Sequence, residues 1–423
     1  MHKLDKKRKH SSGEPSDIGL FAKKSRTSSK LTGIEIKVVA GDLHTFLYIK
    51  GKGGEDKLYA TGYNIGQLGL GDRRNRYKWT EVPLPQDFSI EKVIAGGFHT
   101  FLKGKGKDGE NQLYVCGNND CGQLGVGNTN NRSRWTKVPF PKDFSIEKVM
   151  AGGEHSFLKG KGKDGEDKLY ACGKNDIGQL GLGDMNNRNQ WTEVILSKGF
   201  TIDRYGHSFL KGKGADGEDT LYALGLNNHG QLGLGDTMNR AEWTEVASPQ
   251  GFSVEKVIPG EYHSFLKGKG KDGQDMLYAA GYNRYGQLGL GDRSNRYKWT
   301  EVSFPKGFEI EKVIACGDHS FLKGKDVNGE DKIFACGRNS CRQLGLGDTK
   351  DRNQWTEVPF PKGFEIEKVI AGGDHSFLKG KDVNGEDKLY ATGDNSAGQL
   401  GLGDTTNRDK WTEVPIADLL KKL

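Results

Sequence analysis

The chain is expected to fold as an all-β, seven-bladed propeller preceded by a disordered basic tail. Three observations predict it: a sevenfold internal repeat, four short strand-like segments in every copy, and no stretch with helical spacing over ten residues. The seven tryptophans mark the repeat, at Trp79, Trp135, Trp191, Trp243, Trp299, Trp355 and Trp411, with spacings of 56, 56, 52, 56, 56 and 56 residues. Seven histidines keep step, each opening a His-[Ser/Thr]-Phe-Leu segment: His44, His99, His155, His207, His263, His319 and His375. Seven Gln-Leu-Gly segments follow in the same rhythm, from Gln67 to Gln399. The short interval falls in the fourth copy, where Phe200 to Gly206 replaces a longer stretch such as Phe364 to Gly373.

The last copy shows the elements in order. Ile366 to Ile370 alternates and predicts the first strand, and His375 to Lys379 predicts the second. A turn rich in Gly, Asp and Asn leads into the third at Lys388 to Thr392. The glycine-rich segment Gly398 to Asp404 precedes the fourth, Trp411 to Val414. Four strands per copy and seven copies fit a propeller, in which radial closure removes long exposed strand edges. A blade joining the last strand of one copy to the first of the next would be completed jointly by the two termini.

Composition sets the boundaries. The chain has 423 residues and a formal charge of +7. Residues 1–33 hold nine basic side chains against Asp5, Glu14 and Asp17, so they carry +6 of that charge. This segment is rich in Ser and Lys, lacks apolar periodicity and is expected to be disordered. The expected division is a tail over 1–33, the propeller over 34–416 and a short extension over 417–423. No apolar run approaches the roughly 18 residues of a membrane span, and the charged start does not read as a secretory signal. Six cysteines fit a reducing compartment rather than a disulfide scaffold.

The repeat segments Ala-Gly-Gly-x-His-Ser-Phe-Leu, Leu-Tyr-Ala-x-Gly-x-Asn-x-x-Gly-Gln-Leu-Gly-Leu-Gly-Asp and Asn-Arg-x-x-Trp-Thr-Glu-Val resemble the regulator of chromosome condensation repeat family. The resemblance covers 34–416 and implies a seven-bladed propeller. The family's founding member is a nuclear exchange factor for the small GTPase Ran that binds nucleosomes and carries a basic N-terminal tail. Other members are scaffolds, photoreceptors, ubiquitin-ligase modules or bacterial effectors directed at host GTPases. The present chain differs in its longer Lys- and Gly-rich hairpins, in tryptophan where the family commonly has proline, and in lacking any sizeable insertion. The Ran exchange factor uses an inserted β-wedge against its GTPase.

Several motifs have simple structural readings. Residues 104–109, 160–165, 212–217 and 268–273 match G-x-G-x-x-G, but a further short strand follows each, so they are hairpin turns rather than dinucleotide sites. The repeated histidines lack a distinguishable third partner for nucleophilic catalysis, and are expected to be buried and bonded to nearby backbone. Each tryptophan is expected to anchor its own blade. Cys116 with Cys121 and Cys336 with Cys341 are C-x₄-C pairs, yet Thr61, Cys172, Leu224, Ala280 and Thr392 fill the Cys116 slot elsewhere. That is a small packing position, and no metal site, cofactor or catalytic residue is expected.

The residues just before each histidine vary. By the resemblance, Asp42, Glu154, Glu261, Asp318 and Asp374 form an acidic collar at one rim, where the family contacts its GTPase. Phe98, Tyr205 and Tyr262 add aromatic anchors. In the tail, Lys6-Lys7-Arg8-Lys9 and Lys23-Lys24-Ser25-Arg26 resemble a bipartite nuclear import signal and equally suit nucleic-acid phosphates. The expected protein is a monomeric interaction module of the nucleus, with cytoplasm as a further location. It regulates a Ran-type small GTPase, with an importin and DNA or a nucleosome as tail partners. The alternative is a chromatin- or nucleic-acid-associated scaffold without exchange activity.

Overall fold

The computed structural model describes residues 34–51, 56–195, 201–203, 207–213 and 219–421. Within them, 28 strands form seven four-stranded antiparallel sheets, one per repeat. Blade 1 contains β1 (Glu35–Ala40), β2 (His44–Lys50), β3 (Asp56–Gly62) and β4 (Arg76–Glu81), and blade 2 contains β5 (Phe88–Ala95), β6 (His99–Gly106), β7 (Asn111–Gly117) and β8 (Arg132–Lys137). Blades 3 to 7 run from Ser145 to Val194, Thr201 to Val246, Ser253 to Glu301, Glu309 to Glu357 and Glu365 to Glu413. First strands touch first strands of the next blade, as β1 touches β5, so they surround the axis. Fourth strands such as β4 hold only half-buried and exposed residues, as an outer edge requires.

The middle strands are apolar on both faces because each blade is covered on both sides. Phe101, Leu113 and Val115 pack on Phe144, Ile146 and Leu158 of blade 3, while Leu102 and Tyr114 face Phe46 and Leu58 of blade 1. Gly104 is needed where β5 bulges between Ile90 and Lys92: a Cβ there would overlap the Ser89 carbonyl oxygen. The G-x-G-x-x-G segments at 104–109, 160–165 and 268–273 are hairpins. In the first, the Gly106 amide donates to the Glu110 carbonyl at 3.0 Å, and Gly109 adopts φ 75°. The segment 212–217 lies partly outside the described residues.

Closure differs from the joint blade that the termini were expected to complete. β1–β4 form one complete sheet and residues 365–413 form another, so no strand is shared. The ring closes through side chains and loop backbone bonds, among them the Gly403 amide donating to the Tyr77 carbonyl at 2.9 Å. Ile36, Leu47, Ile49 and Tyr59 of blade 1 pack with Phe377, Leu389 and Leu400 of blade 7. The Thr45 hydroxyl donates to the Gln399 carbonyl at 2.9 Å, and the Thr61 hydroxyl to Gly398 at 2.7 Å. A short helix, α1 (Ala417–Leu420), places Leu419 in this same core beside Ile416. Leu419→Ala should therefore lower the stability by about 2 kcal/mol, read from urea unfolding, because it opens a cavity at the closing seam.

The six histidines whose side chains are described, His44, His99, His155, His263, His319 and His375, are buried as expected, and five of them bond side-chain hydroxyls of the next blade rather than backbone alone. The His Nε2 of one blade meets a Ser or Thr hydroxyl of the next: His44 to Thr100 at 3.2 Å, His99 to Ser156 at 2.8 Å, His263 to Ser320 at 2.7 Å, His319 to Ser376 at 3.3 Å and His375 to Thr45 at 3.1 Å. Ser156, Ser320 and Ser376 donate their own protons to the carbonyls of Gln123, Gln287 and Gln343, so their lone pairs accept from Nε2–H. The histidines are rivets between blades. Burial holds them neutral, pulling His44, His99 and His319 down to about 3 and His155 and His375 to about 4.

The tryptophans also bind across seams rather than within one blade. A Cβ on Gly69 would overlap the Trp135 ring, and the same relation links Gly125 to Trp191 and, across the closing seam, Gly401 to Trp79. Cys116, Cys172 and Cys336 are buried, with Sγ 3.3, 3.5 and 3.3 Å from the carbonyls of Gln67, Gln123 and Gln287. Burial pushes all three thiols well up. No helix among the described residues is long and apolar enough to cross a membrane.

Candidate binding rim

Two sets of loops meet at one end of the propeller: the turns between first and second strands, and the loops between third and fourth. The second set is held from inside by seven buried asparagines, Asn64 to Asn395. Asn64 Nδ2 donates to the Asp72 carbonyl at 3.1 Å, while its Oδ1 accepts from the Gly66 amide at 3.0 Å. Asp72 then pairs with Arg76 at 2.6 Å, and the Asp–Arg pair recurs at 184–188, 236–240, 292–296, 348–352 and 404–408. Loops fixed in this way present their variable residues at low entropic cost.

At the mouth of the axis these loops enclose a cavity of about 400 Å³, whose lining includes Asp42, Phe98, Glu154, Glu261, Tyr262 and Cys316. Leu226 adds blade 4, so blades 1 to 6 contribute to one site. The adjoining turns are stitched together, with the Gly97 amide donating to the Gly152 carbonyl at 3.0 Å and the Gly373 amide to the Asp42 carbonyl at 3.3 Å.

The acidic residues are not equivalent. Lys174 pairs with Glu154 at 2.7 Å, and Arg338 lies 3.8 Å from Asp318 and 3.5 Å from Asp374. Gln343 also donates to Asp374 at 2.8 Å. Asp42 and Glu261 form no ion pair among the described residues. Burial, followed by the Asp374 charge, raises Asp42 to about 6. Glu261 touches solvent, yet the surrounding ring desolvates it and, with Asp42 next in weight, raises it to about 7. Burial raises Asp318 and Asp374 as well, with Arg338 opposing in both. Burial and the neighbouring Glu261 charge push the Tyr262 phenol up to about 12.

An aromatic sector adjoins this charge. The His229 ring lies 5.7 Å from Tyr262 and 4.6 Å from Tyr282, Tyr282 lies 6.0 Å from Tyr285, and Arg338 sits over Tyr285 at 5.6 Å. His229, Tyr282, Tyr285, Arg338 and Lys174 are rim residues that the reading of the pre-histidine positions missed. A signal was present: the sites after each Gly-x-Asn vary, reading Ile65, Cys121, Ile177, His229, Tyr285, Cys341 and Ala397 at one of them. Tyr205 lies outside the described residues, as do Lys6, Lys7, Arg8, Lys9, Lys23, Lys24 and Arg26.

Comparison with known proteins agrees with this architecture. The family model described as "Regulator of chromosome condensation (RCC1) repeat" matches residues 110–158, 218–266, 274–322 and 330–378. Each match starts at the third strand of one blade and ends in the second strand of the next, so it straddles a seam between blades. The chain is 25% identical over 344 residues to the ultraviolet-B receptor UVR8 of Arabidopsis thaliana, covering 81% of this chain and 74% of the receptor. It is 27% identical over 374 residues to the human E3 ubiquitin-protein ligase HERC2, covering 87% of this chain but 7% of the ligase. Among solved structures, Prp20p of Saccharomyces cerevisiae superposes with a TM-score of 0.67 at 20% identity, covering 90% of this chain and 88% of Prp20p. With seven four-stranded blades and four segments that match the family model, the chain carries regulator of chromosome condensation repeats.

Proposed function

We propose that this protein is an interaction module that regulates a small GTPase of Ran type, held on the rim described above. The observation that carries the proposal is the pairing of two carboxylates without ion pairs, Asp42 and Glu261, with aromatic side chains at one preformed mouth. Such a site receives a cationic side chain of a partner, and aromatic anchors beside desolvated charge are the usual source of binding energy at interfaces. The structural work on Prp20p describes its binding to Gsp1p and histones, and a further structure shows Prp20 bound to Kap60. These are the kinds of partner proposed here, with the tail over 1–33 as the importin- and phosphate-binding element and the nucleus as the location. Exchange, where it occurs, requires no covalent chemistry, only displacement of the loops that hold phosphate and Mg²⁺.

A specific observation favours the second reading, a chromatin-associated scaffold. All the described blades keep the four-strand plan, and no copy carries an insertion that serves as a wedge. The two readings separate in one experiment. Nucleotide release from a panel of purified small GTPases is followed with the protein present and absent, and binding is measured in parallel. Binding that weakens about ten-fold or more in Glu261→Gln and Tyr262→Ala, but not in Val383→Ser on the opposite rim, supports the GTPase reading. Binding to nucleosomes alone, steeply salt-dependent and lost on deletion of residues 1–33, supports the scaffold.

A further inference from the structure

At the opposite rim the blades carry a regular charge pattern that one blade breaks. At the base of each hairpin an aspartate starts the third strand: Asp56, Asp167, Asp219, Asp275, Asp331 and Asp387. A glutamate ends the Trp-Thr-Glu motif at Glu81, Glu193, Glu245, Glu301, Glu357 and Glu413. Several of these carboxylates neutralise lysines of the same blade. Lys161 pairs with Asp167 at 2.8 Å, Lys269 with Asp275 at 2.7 Å and Lys325 with Asp331 at 3.1 Å. On the other face of the blade, Lys57 pairs with Glu81 at 2.6 Å, Lys168 with Glu193 at 2.7 Å and Lys332 with Glu357 at 3.0 Å.

Blade 2 has neither carboxylate. Asn111 stands in the aspartate position, Gln112 in the lysine position beside it, and Lys137 in the glutamate position. The registers that hold the pairs elsewhere are intact, with Lys105 opposite Asn111 and Tyr114 opposite Lys137. Lys103 keeps a carboxylate, Glu91, at 3.4 Å. Lys105, Lys107 and Lys137 have no ion pair among the described residues, and Lys107 and Lys137 are exposed. Asp108 and Glu110 remain on the hairpin, but the three differences make blade 2 two charges more positive here than blade 3, a local cationic surplus in a propeller body whose formal charge over 34–423 is only +1.

We infer that the hairpin edge of blade 2 is a second docking surface, which takes a short acidic segment of a protein partner. Lysines freed of their partners on a folded strand pair are placed to meet carboxylates at spacings a peptide can match. The extent of the patch selects the occupant. Blades 1 and 3 on either side retain Asp56, Glu81, Asp167 and Glu193. A nucleic-acid duplex, with a charge every ~1.7 Å, would run past the patch and meet those carboxylates, whereas a short acidic peptide ends within it.

The test uses the full chain, a fluorescent decaglutamate peptide and a duplex DNA of random sequence, at about 0.15 M ionic strength. The triple variant Asn111→Asp, Gln112→Lys, Lys137→Glu gives blade 2 the residues of blades 1, 3, 6 and 7 at these positions and should fold as they do. Because it leaves the basic tail unchanged, any loss of affinity reports blade 2. The variant should bind the peptide about ten-fold more weakly than the natural sequence, with little change for DNA. Carbodiimide cross-linking should join the peptide to Lys105, Lys107 or Lys137. Equal peptide affinity in the two proteins, cross-links confined to residues 1–33, or a loss for DNA exceeding the loss for peptide would overturn the inference.

Discussion

Gly372→Val should destabilise the folded chain by about 3 kcal/mol, more than most substitutions of a buried small residue. A Cβ at Gly372 would overlap the ring of His375 and lie 2.6 Å from the carbonyl oxygen of Gly41 in blade 1. Neither neighbour can withdraw freely. The His375 ring is fixed by its bond to Thr45, and Gly41 is fixed because its amide donates to the His44 carbonyl at 2.9 Å. The substitution therefore acts on the seam where the first and last blades meet without a shared strand. Gly153→Ala is the control, since a Cβ there meets nothing within 4 Å, and its effect should stay within about 0.5 kcal/mol. Urea unfolding of the two variants checks the account, and equal midpoints would contradict it.

The second large effect is on acid stability. His44, His99, His155, His319 and His375 are buried and neutral in the folded chain, with their titration pulled down to about 3 or 4. In the unfolded chain each regains an ordinary value near 6.5. The stability they confer is complete above that value and drains away as the pH falls below it, because protons bind the unfolded state first. Each histidine costs at most about 1.4 kcal/mol per pH unit in this window. Asp42 and Glu261 work in the opposite sense, since their raised values favour the folded state on acidification, though Glu261 touches solvent and counts for less. Asp318 and Asp374 oppose in the same way. With five histidines against these carboxylates, the net loss between pH 7.5 and 5.5 should be of the order of 3 kcal/mol. Urea titrations at the two pH values measure it, and the imidazole NMR resonances of these five histidines should stay flat above pH ~5. Flat stability together with histidines titrating near 6.5 would contradict the rivet assignment.

The period that made the blades legible also concealed how they are joined. The copies are so alike that four strands, the hairpins and the small-residue cysteine slot can be read by stacking one copy on another. Yet His99 bonds to Ser156 and His263 to Ser320, partners separated by 57 residues, just beyond one period. A bond to the next copy is indistinguishable in sequence from a local one when every copy carries the same His-[Ser/Thr] pair. The tryptophans were misassigned to their own blades for the same reason. At the rim the reverse holds, because function resides where copies differ. Asp42, Glu261 and Tyr262 were visible as departures from Gly-Gly before the histidine. His229, Tyr282 and Arg338 belong to loops whose shared Asn, Gln and Gly residues drew the reading toward structure. The blade 2 charge reversal, spread over Asn111, Gln112 and Lys137, becomes apparent once the strand register places those residues beside Lys105 and Tyr114.

The central claim is that the loops around Asp42, Glu261 and Tyr262 form the GTPase-binding face. Amide hydrogen exchange of the full chain, with and without a nucleotide-free Ran-type GTPase, tests it most directly, because it reports which end of the propeller is covered. The account predicts slowed exchange in the turns at 41–43, 96–98 and 260–262 and in the loops at 226–230 and 282–286, with the hairpins at the other end unchanged. Protection confined to the hairpins, or none at GTPase concentrations that saturate other binders, would contradict it.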